Sequence, residues 1–209
     1  MLFRSDTRAA LEIIPNGVDI ADDSPKSVAP TPYVLVLGRI SWKKRIERAI
    51  AAVAALPNLR LVVAGGDDEG LLPSLQQQVQ RLGISDRVEF TGHVDGERKH
   101  ALIRDASALV MVSLTENYGN VVLEAMALAT PVIVVPKIGA ADAVRAADGG
   151  WVIEDTVAAL QQQLQQLLAH PNLGRDAGQR GADWVRTQAS WAAIALRMSK
   201  LYQRVCHAK

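Results

Sequence analysis

The chain is poor in several features that would settle a function by their presence. A single cysteine, Cys206, in 209 residues excludes an internal disulfide framework and any cysteine-rich zinc site. It fits a reducing, cytoplasmic setting. Basic and acidic residues nearly cancel, 23 against 22, so no global field points to nucleic acid or to an acidic partner. The four tryptophans and three tyrosines are scattered and make no aromatic–basic strip on which bases could stack. No apolar run approaches the ~20 residues of a membrane-spanning helix. The opening MLFRSDTRAALEIIPNG has no signal-peptide core. No transmembrane segment is therefore expected, and peripheral contact with a membrane surface stays open. The histidines have no metal-ligand spacing, so no metal is expected.

Apolar residues are plentiful at 49%, enough for one well-buried domain with a small appendage. Short apolar runs at Ile13–Ile14, Tyr33–Leu37, Leu59–Ala64, Val88–Thr91, Ala108–Val112, Pro131–Val135 and Trp151–Ile153 read as strands. Most are continuously apolar, as in strands covered on both faces. Helical patterns alternate with them: Ile46, Ile50 and Val53 at helical spacing, then Leu71–Leu82, Gly96–Asp105, Gly119–Leu128 and Ala140–Ala147. The alternation predicts an α/β domain with a doubly wound parallel sheet. Residues 1–32 read as a stub and linker, with Ala21–Pro32 rich in Asp, Ser and Pro. The domain proper spans 33–190. The tail from Thr156 is helical, with an amphipathic Leu160–Leu168, and residues 191–209 form a C-terminal helix.

Ligands of such sheets bind beyond the carboxyl ends of the strands, and three of those ends carry unusual chemistry. After the Tyr33 run comes Gly38-Arg39-Ile40-Ser41-Trp42-Lys43-Lys44-Arg45. With Ser41 as N-cap, Lys43, Lys44 and Arg45 fall in a first helical turn. Cations there are disfavoured by the helix dipole unless an anion offsets them, so Arg39, Lys44 and the free amides suggest an anion site. Three solvated surface cations are the plainer alternative. Gly38 allows close approach to the backbone.

After the Ala108 run comes Ser113-Leu114-Thr115-Glu116-Asn117-Tyr118-Gly119-Asn120, then a helical stretch containing Glu124. Amides around Asn120 to Val122 should be unpaired donors at the helix start. Glu124 lies about 7 Å further along the axis, at 1.5 Å per residue. Acceptors at both ends and donors between them match a sugar diphosphate nucleoside. Taken singly, each glutamate reads equally well as an ordinary loop or surface carboxylate.

The ordered segments GRISWKK, TGHV and SLTENYGNVVLEAMALATPVIV, preceded by IIPNGVD, resemble the C-terminal, donor-binding domain of family-four retaining glycosyltransferases. These enzymes of glycan biosynthesis have the two-domain GT-B fold. The resemblance covers roughly residues 12 to 190. It implies a Rossmann-like nucleotide-sugar-binding domain acting in hexosyl transfer. Arg39 and Lys44 match the pair that neutralises the donor diphosphate. Glu116 matches the glutamate at the transferred sugar, and Glu124 the one that holds the ribose. Asn117, Tyr118, Gly119, Asn120 and Val121 match the loop whose amides hold the sugar and distal phosphate. Thr91–Val94, with His93 and Val94, matches the loop beside the nucleobase, although His93 also reads as an ordinary loop histidine. The resemblance further implies an N-terminal acceptor-binding domain, of which these residues hold only a stub.

Three features depart from the pattern. Arg45 stands where glycine is common, Asn117-Tyr118 replaces Gly-Phe, and Ile138–Ala143 lacks a Gly-Gly-x-x-Glu arrangement.

Gly65-Gly66-Asp67-Asp68 lacks the spacing of a dinucleotide fingerprint and reads as a tight turn, with Gly66 at the donor crevice. Ser113 is not in a nucleophile-elbow setting. His100, His170 and His207 read as surface residues. Three functions remain in view: the donor half of a glycosyltransferase, with an epimerase or phosphorylase as variants; a non-catalytic nucleotide-sugar module; and a nicotinamide-dependent α/β enzyme, which the missing fingerprint disfavours.

Overall fold

The computed structural model describes residue 12, residues 14–20 and residues 31–207. Six strands, β1 (Tyr33–Leu37), β2 (Arg60–Ala64), β3 (Val88–Gly92), β4 (Ala108–Met111), β5 (Val132–Val134) and β6 (Gly150–Val152), form one sheet in the order β3-β2-β1-β4-β5-β6. Every adjacent pair is parallel, and β1 is central, with Val34 opposite both Leu61 and Ala108. Parallel pairing requires a crossover between successive strands. The crossovers and tail contain α1 (Ile46–Ala54), α2 (Leu72–Arg81), α3 (Gly96–Asp105), α4 (Asn120–Ala127), α5 (Ala141–Ala147), α6 (Val157–Ala169), α7 (Pro171–Gln188) and α8 (Trp191–His207).

All residues of β1, β4 and β5 are buried, as a sheet covered on both faces demands. Edge strand β3 is only partly buried, and its sequence VEFTG is correspondingly less apolar. Helix α1 turns Ile46, Ala49, Ile50 and Val53 inward, one stripe at helical spacing. It packs against α2 and α6, while α4 packs against α7. Leu35, Leu61, Leu109 and Ile133 form the centre of the core and are fully buried. Burying each such side chain stabilises the fold by roughly 1.5–3 kcal/mol.

The sequence boundaries hold to within a residue or two in β1 to β6. For the proposed Ile13–Ile14 strand, Ile13 lies outside the described residues and Ile14 is in no strand. The chain instead joins the fold at Val18, whose N–H donates to the Ala189 carbonyl at 2.9 Å in an isolated bridge beside α8. The stub to residue 11 and the linker from 21 to 30 lie outside the described residues. The helical tail divides at His170: Thr156 caps α6 by accepting the Ala159 N–H at 3.1 Å, and Pro171 opens α7, where its missing N–H costs nothing. No described helix is long and apolar enough to cross a membrane.

The chain winds outward from β1 through β2 to β3, then returns to β4 on the other side of β1. That reversal opens a crevice at the carboxyl ends of β1 and β4, where the loops after both strands diverge.

Candidate functional site

Four loops converge on this crevice. Those after β1 and β2 are held in mutual contact. The Ile40 N–H donates to the Gly66 carbonyl at 2.7 Å. A side chain at Gly65 would place its first carbon 2.0 Å from the Gly38 carbonyl oxygen, so only glycine allows the approach. Gly65–Asp68 is not the tight turn expected: the chain bends at Gly65 and Asp68, and Asp67 still pairs with Ile40 in a parallel bridge. Asp67 accepts the Leu71 and Leu72 amides ahead of α2, and these bonds, Leu72 first, lower its pKa. Asp68 meets Arg39 at 3.5 Å. Arg39 is 81% exposed there, so the pair is weak and the guanidinium stays available to a ligand.

The helical start expected at Ser41 is not formed. Ser41 is extended and caps nothing, and Trp42–Lys44 make a single 3-10 turn. Arg45 then takes a left-handed conformation, φ 51°, before α1 begins at Ile46. That conformation costs a residue with a side chain about 1 kcal/mol. It also explains why glycine suits the position. Arg45 points away from the crevice and is buried, so it does not belong to the anion-binding cluster. Its guanidinium makes a bidentate pair with Asp155 at 2.7 and 2.9 Å.

Lys44 does turn into the crevice, where its Nζ lies 2.5 Å from Glu116 Oε1. Ser113 Oγ donates to the same oxygen at 3.0 Å. Lys44 and Glu116 are each about four-fifths buried, so salt screens their pair less than one at the surface. Gly119, at φ 89°, turns the chain from the loop into α4. The Val122 N–H, expected to be free, instead donates to the Gly119 carbonyl at 2.9 Å. The Asn120 and Val121 amides have no partner among the described residues and remain the donors of the helix start. One turn further along α4, Glu124 Oε2 lies out of solvent, 2.5 Å from Lys99 Nζ of α3. The approach angle is that of an ion pair, not an aligned hydrogen bond.

These groups line one cleft of about 740 Å³. It brings together Gly38, Arg39, Lys44, Gly66, His93, Val94, Glu116, Asn117, Tyr118, Gly119, Asn120, Val121 and Glu124, all the positions that the sequence marked for donor contact. Cations and carboxylates are paired in it, Lys44 with Glu116 and Lys99 with Glu124, and Arg39 and the first residues of α4 line the same space. A second cavity of about 530 Å³ adjoins it and shares Lys99, Asn120 and Glu124.

The chain belongs to the group 1 glycosyltransferases. The family described as Glycosyl transferases group 1 matches residues 19–184. The lipopolysaccharide core biosynthesis glycosyltransferase LpsE of Rhizobium meliloti is 29% identical over 195 residues, covering 92% of this chain and 56% of that protein. Sucrose-phosphate synthase from Thermosynechococcus elongatus is 31% identical with a TM-score of 0.81, covering 95% of this chain and 53% of that one. The C-terminal domain of a group 1 glycosyltransferase, LpcC from Francisella tularensis, shares the fold at 22% identity and a TM-score of 0.70, covering 78% of this chain and 89% of that domain. The sheet and its helices are thus the Rossmann-like half of a GT-B glycosyltransferase. Against the curated relatives the chain spans 31%, 56% and 28% of their length.

In this cleft of a group 1 glycosyltransferase, the segment lacking Gly-Gly-x-x-Glu still supports the Asn117–Val121 loop. The Ala140 N–H donates to the Tyr118 carbonyl at 2.7 Å, and a side-chain carbon at Gly139 would sit 2.8 Å from the Asn117 carbonyl. Burial raises the pKa of Tyr118, which favours the neutral phenol. Imidazole His93 is exposed, 3.9 Å from Asp95, at the rim. His100 and His170 are exposed, as expected for surface residues.

Sequence reasoning missed Lys99 and Ser113. Lys99 had a signal: it lies four residues before buried Ile103, which puts a cation on the inward face of α3. Ser113, fully buried at the end of the β4 run, stands three residues before Glu116.

Proposed function

We propose that the cleft binds a nucleotide diphosphate sugar, and that this chain is the donor half of a glycosyltransferase that transfers the sugar with retention of anomeric configuration. The observation that carries this reading is the gathering of cations, free amides and carboxylates in one cleft. Arg39, Lys44 and the Asn120 and Val121 amides suit the diphosphate. Glu124 suits the ribose hydroxyls and Glu116 the sugar. In transfer, the bond between the anomeric carbon and the distal phosphate oxygen breaks and its electron pair leaves with the nucleoside diphosphate, while the acceptor hydroxyl oxygen bonds that carbon on the same face and its proton passes to the departing phosphate. Negative charge then grows on phosphate oxygens beside Arg39, Lys44 and the α4 amides, while the sugar gains oxocarbenium character. The groups that bind the donor therefore also stabilise the transition state. Glu116 orients the sugar and faces its positive ring, and is not assigned as a covalent nucleophile.

The acceptor would be presented by a domain or chain outside these residues, since transfer needs both substrates in one cleft. The isolated chain should bind donor weakly and transfer slowly or not at all; full turnover without a partner would overturn this. The test is calorimetric titration with UDP and with GDP at low salt, repeated with Lys44→Ala and Glu124→Ala. Saturable binding lost in both variants supports the donor site. A folded wild-type chain that takes neither nucleotide, even with the acceptor domain supplied, refutes it.

A further inference from the structure

We infer that the pair Arg45–Asp155 is a positioning device for the donor site: it fixes the turn Trp42–Lys44 so that Lys44 Nζ is already aimed into the cleft before a ligand arrives. What Lys44 meets there rests on the donor reading above. The brace itself rests on geometry alone.

The turn carrying Lys44 ends at Arg45, in a left-handed conformation that favours glycine. An arginine there must be held by something. It is held by Asp155, in the loop between β6 and α6, 110 positions along the chain. Both guanidinium nitrogens engage the carboxylate, at 2.7 and 2.9 Å, in the planar geometry only arginine offers. Arg48, on the first turn of α1, donates to Asp155 Oδ1 at 2.7 Å and to its backbone carbonyl at 2.9 Å. Lys137, after β5, adds a third cation at 3.7 Å. Asp155 thus ties the start of α1 to the far side of the sheet. Arg45 is only 8% exposed, so its charge has little solvent to turn to if the pair opens.

The adjacent residues have opposite duties. Lys43 fixes the turn on the cleft side, where its carbonyl accepts the Leu114 N–H at 2.7 Å. Arg45 fixes it on the outer side. Between these two anchors, Lys44 reaches Glu116. Loosening one anchor lets the lysine sample positions away from the cleft, and a small displacement of a charged group is costly in a preorganised site.

The informative variant is Arg45→Gly. Glycine accepts the left-handed backbone, and Asp155 keeps Arg48, so the fold should survive. Calorimetry with whichever of UDP or GDP the wild-type chain takes should show Kd raised roughly three- to tenfold, with binding of the matching nucleoside unchanged. In a Lys44→Ala background the same substitution should change Kd less than about twofold, because its effect passes through Lys44. Hydrogen exchange at residues 41–45 should quicken in Arg45→Gly and in Asp155→Asn, with the exchange of β1 and β4 unaltered. Wild-type affinity in folded Arg45→Gly, an equal loss for the nucleoside, or full additivity with Lys44→Ala overturns the inference. Should the wild type bind neither nucleotide even with the acceptor domain supplied, the donor reading fails, and exchange at 41–45 alone decides the brace: unchanged rates reject it.

Discussion

Tyr33 opens the central strand with its phenol buried against α3, donating to the Leu102 carbonyl at 2.8 Å. Burial, and then the Asp105 carboxylate, push its pKa from the ordinary 10.0 up to about 12. A group held neutral in this way stabilises the fold fully below the unfolded value near 10, and that contribution disappears as pH rises through 12. At about 1.4 kcal/mol per pKa unit, the full effect is about 3 kcal/mol. Tyr33→Phe removes the titration and the hydrogen bond together. At pH 7 the variant should be less stable by about 1 kcal/mol, the net value of one hydrogen bond. As pH rises, the ionising phenol costs the wild type stability while the variant, which has no phenol to titrate, keeps its own, so their curves should cross between about pH 10 and 11, where the linkage loss equals that bond. Other tyrosines, lysines and arginines titrate in both proteins and cancel in the difference. Urea denaturation of the two chains between pH 7 and 11.5 reads this directly. A stability gap that stays constant to pH 11.5 would refute the account of the buried phenol.

Three further outcomes bear on the cleft. Gly119→Ala puts a side chain at φ 89°, 3.2 Å from Met111 Sδ; it should lower stability by about 1 kcal/mol or more and weaken UDP or GDP binding, as thermal melting and calorimetry would show. Lys99→Met leaves the solvent-shielded Glu124 Oε2 without its cation, and should cost about 1–2 kcal/mol in denaturant titration, between a surface pair and a fully buried one. Ser113→Ala removes the hydroxyl that steadies Glu116; it should weaken the intact nucleotide sugar roughly three- to tenfold and leave the nucleoside diphosphate unchanged in the same titration.

The strands were legible because burial on both faces writes itself as continuous apolar runs, and β1, β4 and β5 are of that kind. The cleft was legible for a related reason: once the strands are placed, ligands of such sheets lie beyond their carboxyl ends, and the loops after β1 and β4 are the ones that part where the strand order reverses. Local pattern does not encode long-range partners. Lys99 meets Glu124 across two helices, and nothing within a window around either residue specifies the other. The division of the tail at His170 was marked by Pro171, a signal with a local cause.

Lys44 and Arg45 show where that boundary falls. In sequence they are adjacent cations after a glycine-led turn, and helix-capping rules treat them alike. In the structure one lies beside Glu116 in the cleft and the other beside Asp155 behind it. Their fates diverge because the 3-10 turn and the left-handed residue send consecutive side chains to opposite sides, and an acid waits on each. An anion site built from surface cations alone would depend on salt and on chance rotamers. Here the cation offered to the ligand has a neighbour that is unavailable to it, and the second charge is used to hold the first in place. Charge count along the segment therefore overstates the number of groups a ligand can meet and understates how firmly the remaining one is aimed.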